Sequence, residues 1–88
     1  MELHEAVDSL RWYANHGRPT GGFLRAVLAN DLMQVINRGD ESSLEQLPAI
    51  CRFIYNQLPA NTHGSYEAVD AHIAACAERR AEQKGVGA

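Results

Sequence analysis

Basic side chains are in short supply in this chain. Eight lysines and arginines face eleven aspartates and glutamates, a formal net charge of −3 at pH 7. The surface is therefore not built mainly to neutralise phosphates, and a nucleic-acid role would need a local basic patch. Cysteine occurs twice, at Cys51 and Cys76, with no C-x-x-C pair to suggest a zinc or dithiol motif. No apolar run approaches the length of a membrane span. The opening stretch MELHEAVDSL has acidic side chains where a signal peptide requires a basic start and an apolar run. These absences predict a cytoplasmic protein with reduced thiols. Alternation of period two, internal repeats and low-complexity tracts are also missing, so nothing argues for a sheet or a solenoid.

What is present is helical periodicity. The 88 residues are 45% apolar and 22% charged, a globular mixture sufficient for one small domain, with little room for a deep cleft. The spacing predicts a first helix over about 2–16, with Leu3, Val7, Leu10 and Ala14 on one stripe and Ala6 and Tyr13 beside it. Gly17 ends it and Pro19 begins something new. Phe23, Leu24, Val27, Leu28, Leu32, Val35 and Ile36 alternate three- and four-residue steps, which predicts one continuous second helix through Arg38 with Gly39 as a left-handed cap. Asp40, Ser42 and Ser43 offer capping oxygens for a third helix, and Ser43 with Gln46 fits the capping-box spacing. Pro48 lies inside that helix, so either the helix kinks there or a loose first turn precedes a regular start at Leu47. Ile50, Cys51, Ile54, Tyr55 and Leu58 form its inward stripe and Pro59 closes it. Ser65 is the expected cap of a fourth helix carrying Tyr66, Val69, Ile73 and Cys76 inward. The expected fold is all-α, a compact bundle of about four helices over residues 1–84, with 85–88 a flexible tail.

The Gly21–Gly22 pair resembles a phosphate cradle only superficially. A Walker loop needs a preceding strand and a Gly-Lys-Ser/Thr triplet, and GRPTGGFLR has neither. The pair reads instead as a hinge, with Thr20 available to cap the next helix. His72 and Cys76 share a helix face with His63 nearby, but a fourth metal ligand would have to come from His4 or His16 at the far end of the chain. No metal or other cofactor is expected. The serines read as caps and the carboxylates are dispersed, so no catalytic constellation is expected either.

The residues left over point to binding. Trp12 lies off the apolar stripe of its helix and is expected either to be partly exposed or to pack under the loop after Pro59. Arg18 and Arg25 fall on one side of the turn, with Arg11 and Arg52 able to join them in an antiparallel packing. Asn30 and Asp31 interrupt the second helix, either as a polar flank bonded to a neighbouring turn or as a recognition spot. Aromatic and arginine side chains near one another are typical of interface hot spots. Trp12, Arg18, Arg25, Asn30 and Asp31 are thus the candidate contact residues.

The stretches HGRPTGGFLRAVLANDL, ICRFIYNQLP and GSYEAVDAH resemble a family of small bacteriophage and prophage proteins over roughly residues 10–73. The pattern falls on Tyr13, His16, Gly17, Pro19, Gly22, Phe23, Leu24, Asn30, Asp31, Leu32, Tyr55, Asn56, Pro59, Gly64 and Ser65. This chain departs at His63 and His72, where the pattern has tryptophan, so an aromatic surface there does not carry over. The resemblance implies a context and no chemistry. It suggests a phage accessory protein in the cytoplasm of a bacterial host, a non-catalytic module that occludes a host protein such as a defence complex. Two alternatives stand beside it. One is a nucleic-acid-binding regulator with a helix-turn-helix around HGRPTGG, disfavoured because the second helix has so many apolar residues to bury. The other is a homo-oligomeric structural or assembly protein, for which a homodimer is plausible.

Overall fold

The computed structural model describes the backbone of residues 1–86 and the side chains of residues 1–82. Among the described residues the chain is all-α, with no sheet. The described residues form six helices where about four are expected: α1 (Leu3–His16), α2 (Gly22–Leu28), α3 (Leu32–Arg38), α4 (Glu41–Glu45), α5 (Leu47–Gln57) and α6 (Tyr66–Val86), with a 3-10 turn at Ala60–Thr62 before α6. The last two residues of the tail expected over 85–88 lie outside the described residues, and α6 runs to Val86.

The two extra helices have separate causes. Pro48 stands in the first turn of α5, where its missing N–H removes no intrahelical bond, and Gln46 alone separates α5 from α4. The loose-first-turn alternative is therefore the one adopted. The second break splits the long apolar stripe. Ala29 ends α2, and Asn30 takes the left-handed conformation at φ 61°. The Asn30 N–H donates to Val27 O at 3.1 Å and the Asp31 N–H to Ala26 O at 2.9 Å. These two bonds are a Schellman motif, with Asn in the place usually held by Gly. Asp31 then caps α3, its carboxylate accepting from the Gln34 N–H.

Other expected caps are corrected. Of the three capping oxygens expected for the next helix, Asp40 is the one used: it caps α4, accepting from the Ser43 N–H at 2.7 Å, while Ser43 itself is buried and does not act as the cap. Thr20 makes no cap, and Gly21 precedes α2 without a side-chain bond. Gly39 is extended rather than left-handed, at φ −78°. Its lack of a side chain matters because a Cβ there would crowd Leu44 and Phe23. Gly17 does hold the left-handed position expected of it, at φ 70°, and presses against Cys76 of α6. Ser65 caps α6 as expected, accepting from the Ala68 N–H.

α1 packs on α5 and α6, and α2 packs on α3 and α6. The core joins Ala6, Leu10 and Tyr13 of α1 with Phe23, Leu24, Ala26 and Leu28 of α2, Val35 of α3, Ile50 and Ile54 of α5, Leu58 just after it and Val69 of α6. Each fully buried leucine here contributes about 1.5–3 kcal/mol. Tyr13 is completely buried and its hydroxyl donates to Thr62 O at 2.6 Å, tying α1 to the turn before α6. Burial pushes the Tyr13 phenol up to about 12. The inward stripe expected on α5 is corrected at two positions: Cys51 and Tyr55 are exposed, Tyr55 at 82%.

Candidate partner-binding surfaces

The break at Asn30 decides which way α3 faces. Had α2 continued, Leu32 and Ile36 would follow Phe23 and Leu24 into the core. Instead only Val35 of α3 is buried, while Leu32, Met33 and Ile36 are 64%, 76% and 53% exposed. Leu32 and Ile36 are four apart and Met33 and Ile36 three apart, so all three share one face of the helix. The apolar period was legible in the sequence, but the reorientation was not. Its one local signal is the Asn-Asp pair, which both stops a helix and starts one.

A chain of polar contacts fixes α3 in this attitude. The Tyr66 hydroxyl at the start of α6 donates to Asp31 Oδ2 at 2.7 Å. The Arg25 guanidinium lies 5.0 Å from the centre of the Tyr66 ring and donates to both carboxylate oxygens of Asp70, at 2.8 and 3.3 Å. The bond to Asp31 raises the Tyr66 phenol above its usual range, and the bond from Arg25 holds the Asp70 carboxyl below its own. Arg25 and Asp31 are thus engaged within the molecule, and Asn30 serves the turn. The Gly64 N–H completes the junction by donating to Leu28 O at 2.7 Å.

Trp12 and Arg18 belong to a different place. Trp12 is 51% exposed near the end of α1, with the His16 ring centred 4.9 Å away and the Arg18 guanidinium 5.7 Å from the centre of its own ring. Arg11 lies over Phe53 at 5.7 Å. The structure therefore gathers Arg11 and Arg18 around Trp12 and separates them from Arg25. Beside them α6 runs past the end of α1. His72 Nε2 lies 2.9 Å from Tyr13 O, Arg80 donates to His16 O at 2.9 Å, and Arg79 donates to Cys76 Sγ at 2.8 Å. Arg80 thereby satisfies a carbonyl in the last turn of α1 and sits at the negative end of its dipole, while the Tyr13 carbonyl that His72 meets also accepts from the Gly17 N–H.

A shallow cavity of about 260 Å³ separates the end of α2 from α5, lined by Val27, Asn30, Cys51, Ile54, Tyr55 and His63 among others. Among the described residues no group of three histidine, cysteine or acidic side chains is arranged to hold a metal ion. No helix among them is long and apolar enough to cross a membrane. Comparison of the chain with protein-family models, curated proteins and solved structures finds no match.

Proposed function

We propose that this protein is a non-catalytic binding module that inserts the exposed face of α3 into an apolar groove of a protein partner. The observation that carries this reading is the exposure of Leu32, Met33 and Ile36 on one short helix whose capping Asp31 is bonded to Tyr66 of α6. Contiguous exposed apolar side chains rimmed by polar ones are a feature of interaction sites. Anchors three and four residues apart are the pattern of a helix recognised in a groove. Arg25, Asp31, Tyr66 and Asp70 supply the polar rim.

The partner is a different protein rather than a second copy. A stable interface buries about 800 Å² on each side, and two turns of helix carrying three apolar residues fall well short of that against their own duplicate. A groove that wraps the helix recovers the difference. The resemblance to phage proteins suggests a bacterial host protein, with inhibition by occlusion as the mechanism. Four of the seven residues of α2 are buried, which leaves that helix poorly suited to the recognition role of a helix-turn-helix. The test is a photoreactive residue placed at position 33 in the tagged protein, expressed in bacterial cells and illuminated. A single dominant adduct with one host protein, absent when the photoreactive residue stands at exposed Glu45, supports the reading. A dimer-sized adduct as the main product refutes it in favour of self-association.

A further inference from the structure

The end of α1 carries a second surface with different chemistry, independent of α3. Two cavities adjoin there. One, of about 220 Å³, is lined by Asp8, Arg11, Trp12, Asn15 and His16. The other, of about 300 Å³, is lined by Asn15, His16, Cys76, Arg79 and Arg80. Asn15 and His16 form their common wall. With Arg18 above Trp12, four of the eight basic residues of an acidic chain lie at these two adjoining cavities, Arg11 and Arg18 at the Trp12 end and Arg79 and Arg80 at the other. None of the four is in an ion pair among the described residues, where the side-chain pair is Arg25 with Asp70. Glu78 and Glu82 line a separate cavity that Arg79 also borders.

We infer that these adjoining cavities are a binding site for a nucleotide unit, with the base stacked on Trp12 and the phosphate held by Arg79 and Arg80. Among the described residues each of these arginines donates one hydrogen bond to the protein, Arg79 to Cys76 Sγ and Arg80 to His16 O. A guanidinium has five N–H donors, so each is held in place with most of its donors free for phosphate oxygens. Arg18 lies 5.7 Å from the Trp12 ring centre, near the limit of about 6 Å for a cation–π contact. A base can take its place on the ring and leave the guanidinium to the phosphate. Asp8 and Asn15 stand at the Trp12 end, where a carboxylate and an amide can pair with the amino edge of a base. The same Asp8 would repel the side chains of an acidic peptide, which is why the observations favour a nucleotide over that partner. Stacking on an aromatic side chain tolerates any base, so the site reads nucleotide chemistry rather than sequence.

The ligand has two sources, a free nucleotide and one unit of a single strand, and one titration separates them. Trp12 is the only tryptophan, so its indole N–H resonance reports the site directly. The full chain is titrated in parallel with AMP, adenosine, a short oligodeoxyadenylate and an oligoglutamate peptide. We expect AMP to shift the resonance saturably and to bind at least about tenfold more tightly than adenosine. The double variant Arg79→Gln/Arg80→Gln, with unchanged far-UV circular dichroism, should lose that advantage. Binding of the oligonucleotide at least about tenfold tighter than AMP assigns the site to a strand. Its salt slope should then fall by about 1.4 in the double variant. Equal affinities assign it to a free nucleotide. Saturation by oligoglutamate alone, no shift with any ligand, or full AMP affinity in the double variant overturns the inference.

Discussion

Replacing Asn30 by alanine tests the junction on which the orientation of α3 depends, because two descriptions of residues 22–38 predict opposite signs. In the structure Asn30 is left-handed at φ 61°, and α2 closes through the bonds from the Asn30 N–H to Val27 O and from the Asp31 N–H to Ala26 O. An alanine in that conformation carries a penalty of about 1–2 kcal/mol that asparagine partly escapes by local hydrogen bonding. The expected loss for Asn30→Ala is about 1 kcal/mol, which in a domain of this size lowers Tm by about 4–8 °C. Asn30→Gly relieves the conformational strain but loosens the unfolded chain, and should fall within about 0.5 kcal/mol of the parent. Were α2 and α3 one helix, alanine at position 30 would instead be stabilising by about 0.5 kcal/mol through helix propensity. Thermal melts followed by far-UV circular dichroism decide between them. A higher Tm together with greater helicity in Asn30→Ala would refute the broken-helix arrangement, and with it the outward face of α3.

Two further predictions concern the contacts that hold the bundle. Tyr13→Phe deletes the buried hydroxyl and leaves Thr62 O without that partner, at a cost of about 1–3 kcal/mol in denaturant titration. The folded phenol has its pKa raised to about 12 from 10.0, so its protonated form contributes stability that is complete below pH 10 and lost as pH rises towards 12. The parent should therefore lose stability over that alkaline range more steeply than Tyr13→Phe, and parallel curves would contradict the assignment. The opposite sign applies to Asp70, whose carboxyl is lowered from 3.8 by the bond from Arg25. Its contribution is present above that value and lost as pH falls through the lowered one. The difference in Tm between the parent and Asp70→Asn should thus be positive near neutral pH and shrink towards zero in acid. A difference that is constant with pH would show that the ion pair is not formed.

Much of the helical skeleton could be read from residue order alone. α1 is bounded by Gly17, whose left-handed conformation follows from its place after the last periodic residue, and Pro59 and Ser65 bracket the loop before α6. Pro48 announced a discontinuity and left its form open. The apolar stripe from Phe23 to Ile36 misled because a Schellman turn followed at once by a new cap uses so few residues that three- and four-residue spacing survives across it. Periodicity records which side chains share a helix face. It does not record a change of axis between two helices. The same limit applies to the candidate surfaces. The position of Trp12 off the stripe of its own helix is a local property, and its 51% exposure settles against the alternative packing under the loop after Pro59. The pairing of Arg25 with Asp70 joins residues 45 apart in sequence, and that of Tyr66 with Asp31 joins residues 35 apart, so neither leaves a local trace. That Arg25 and Asp31 are bonded within the molecule follows only from the packing of α2, α3 and α6.

The most direct test of partner binding through α3 is quantitative capture from a nuclease-treated bacterial lysate with three tagged proteins: the parent, Met33→Glu/Ile36→Glu and Trp12→Ala/Arg18→Ala. Met33 and Ile36 are exposed, so glutamate at both should change stability by no more than about 0.5 kcal/mol per site, and loss of capture would report the surface rather than the fold. The prediction is one host protein retained near stoichiometrically by the parent and by Trp12→Ala/Arg18→Ala, and lost in Met33→Glu/Ile36→Glu. Retention of that protein by Met33→Glu/Ile36→Glu at the level of the parent would contradict it.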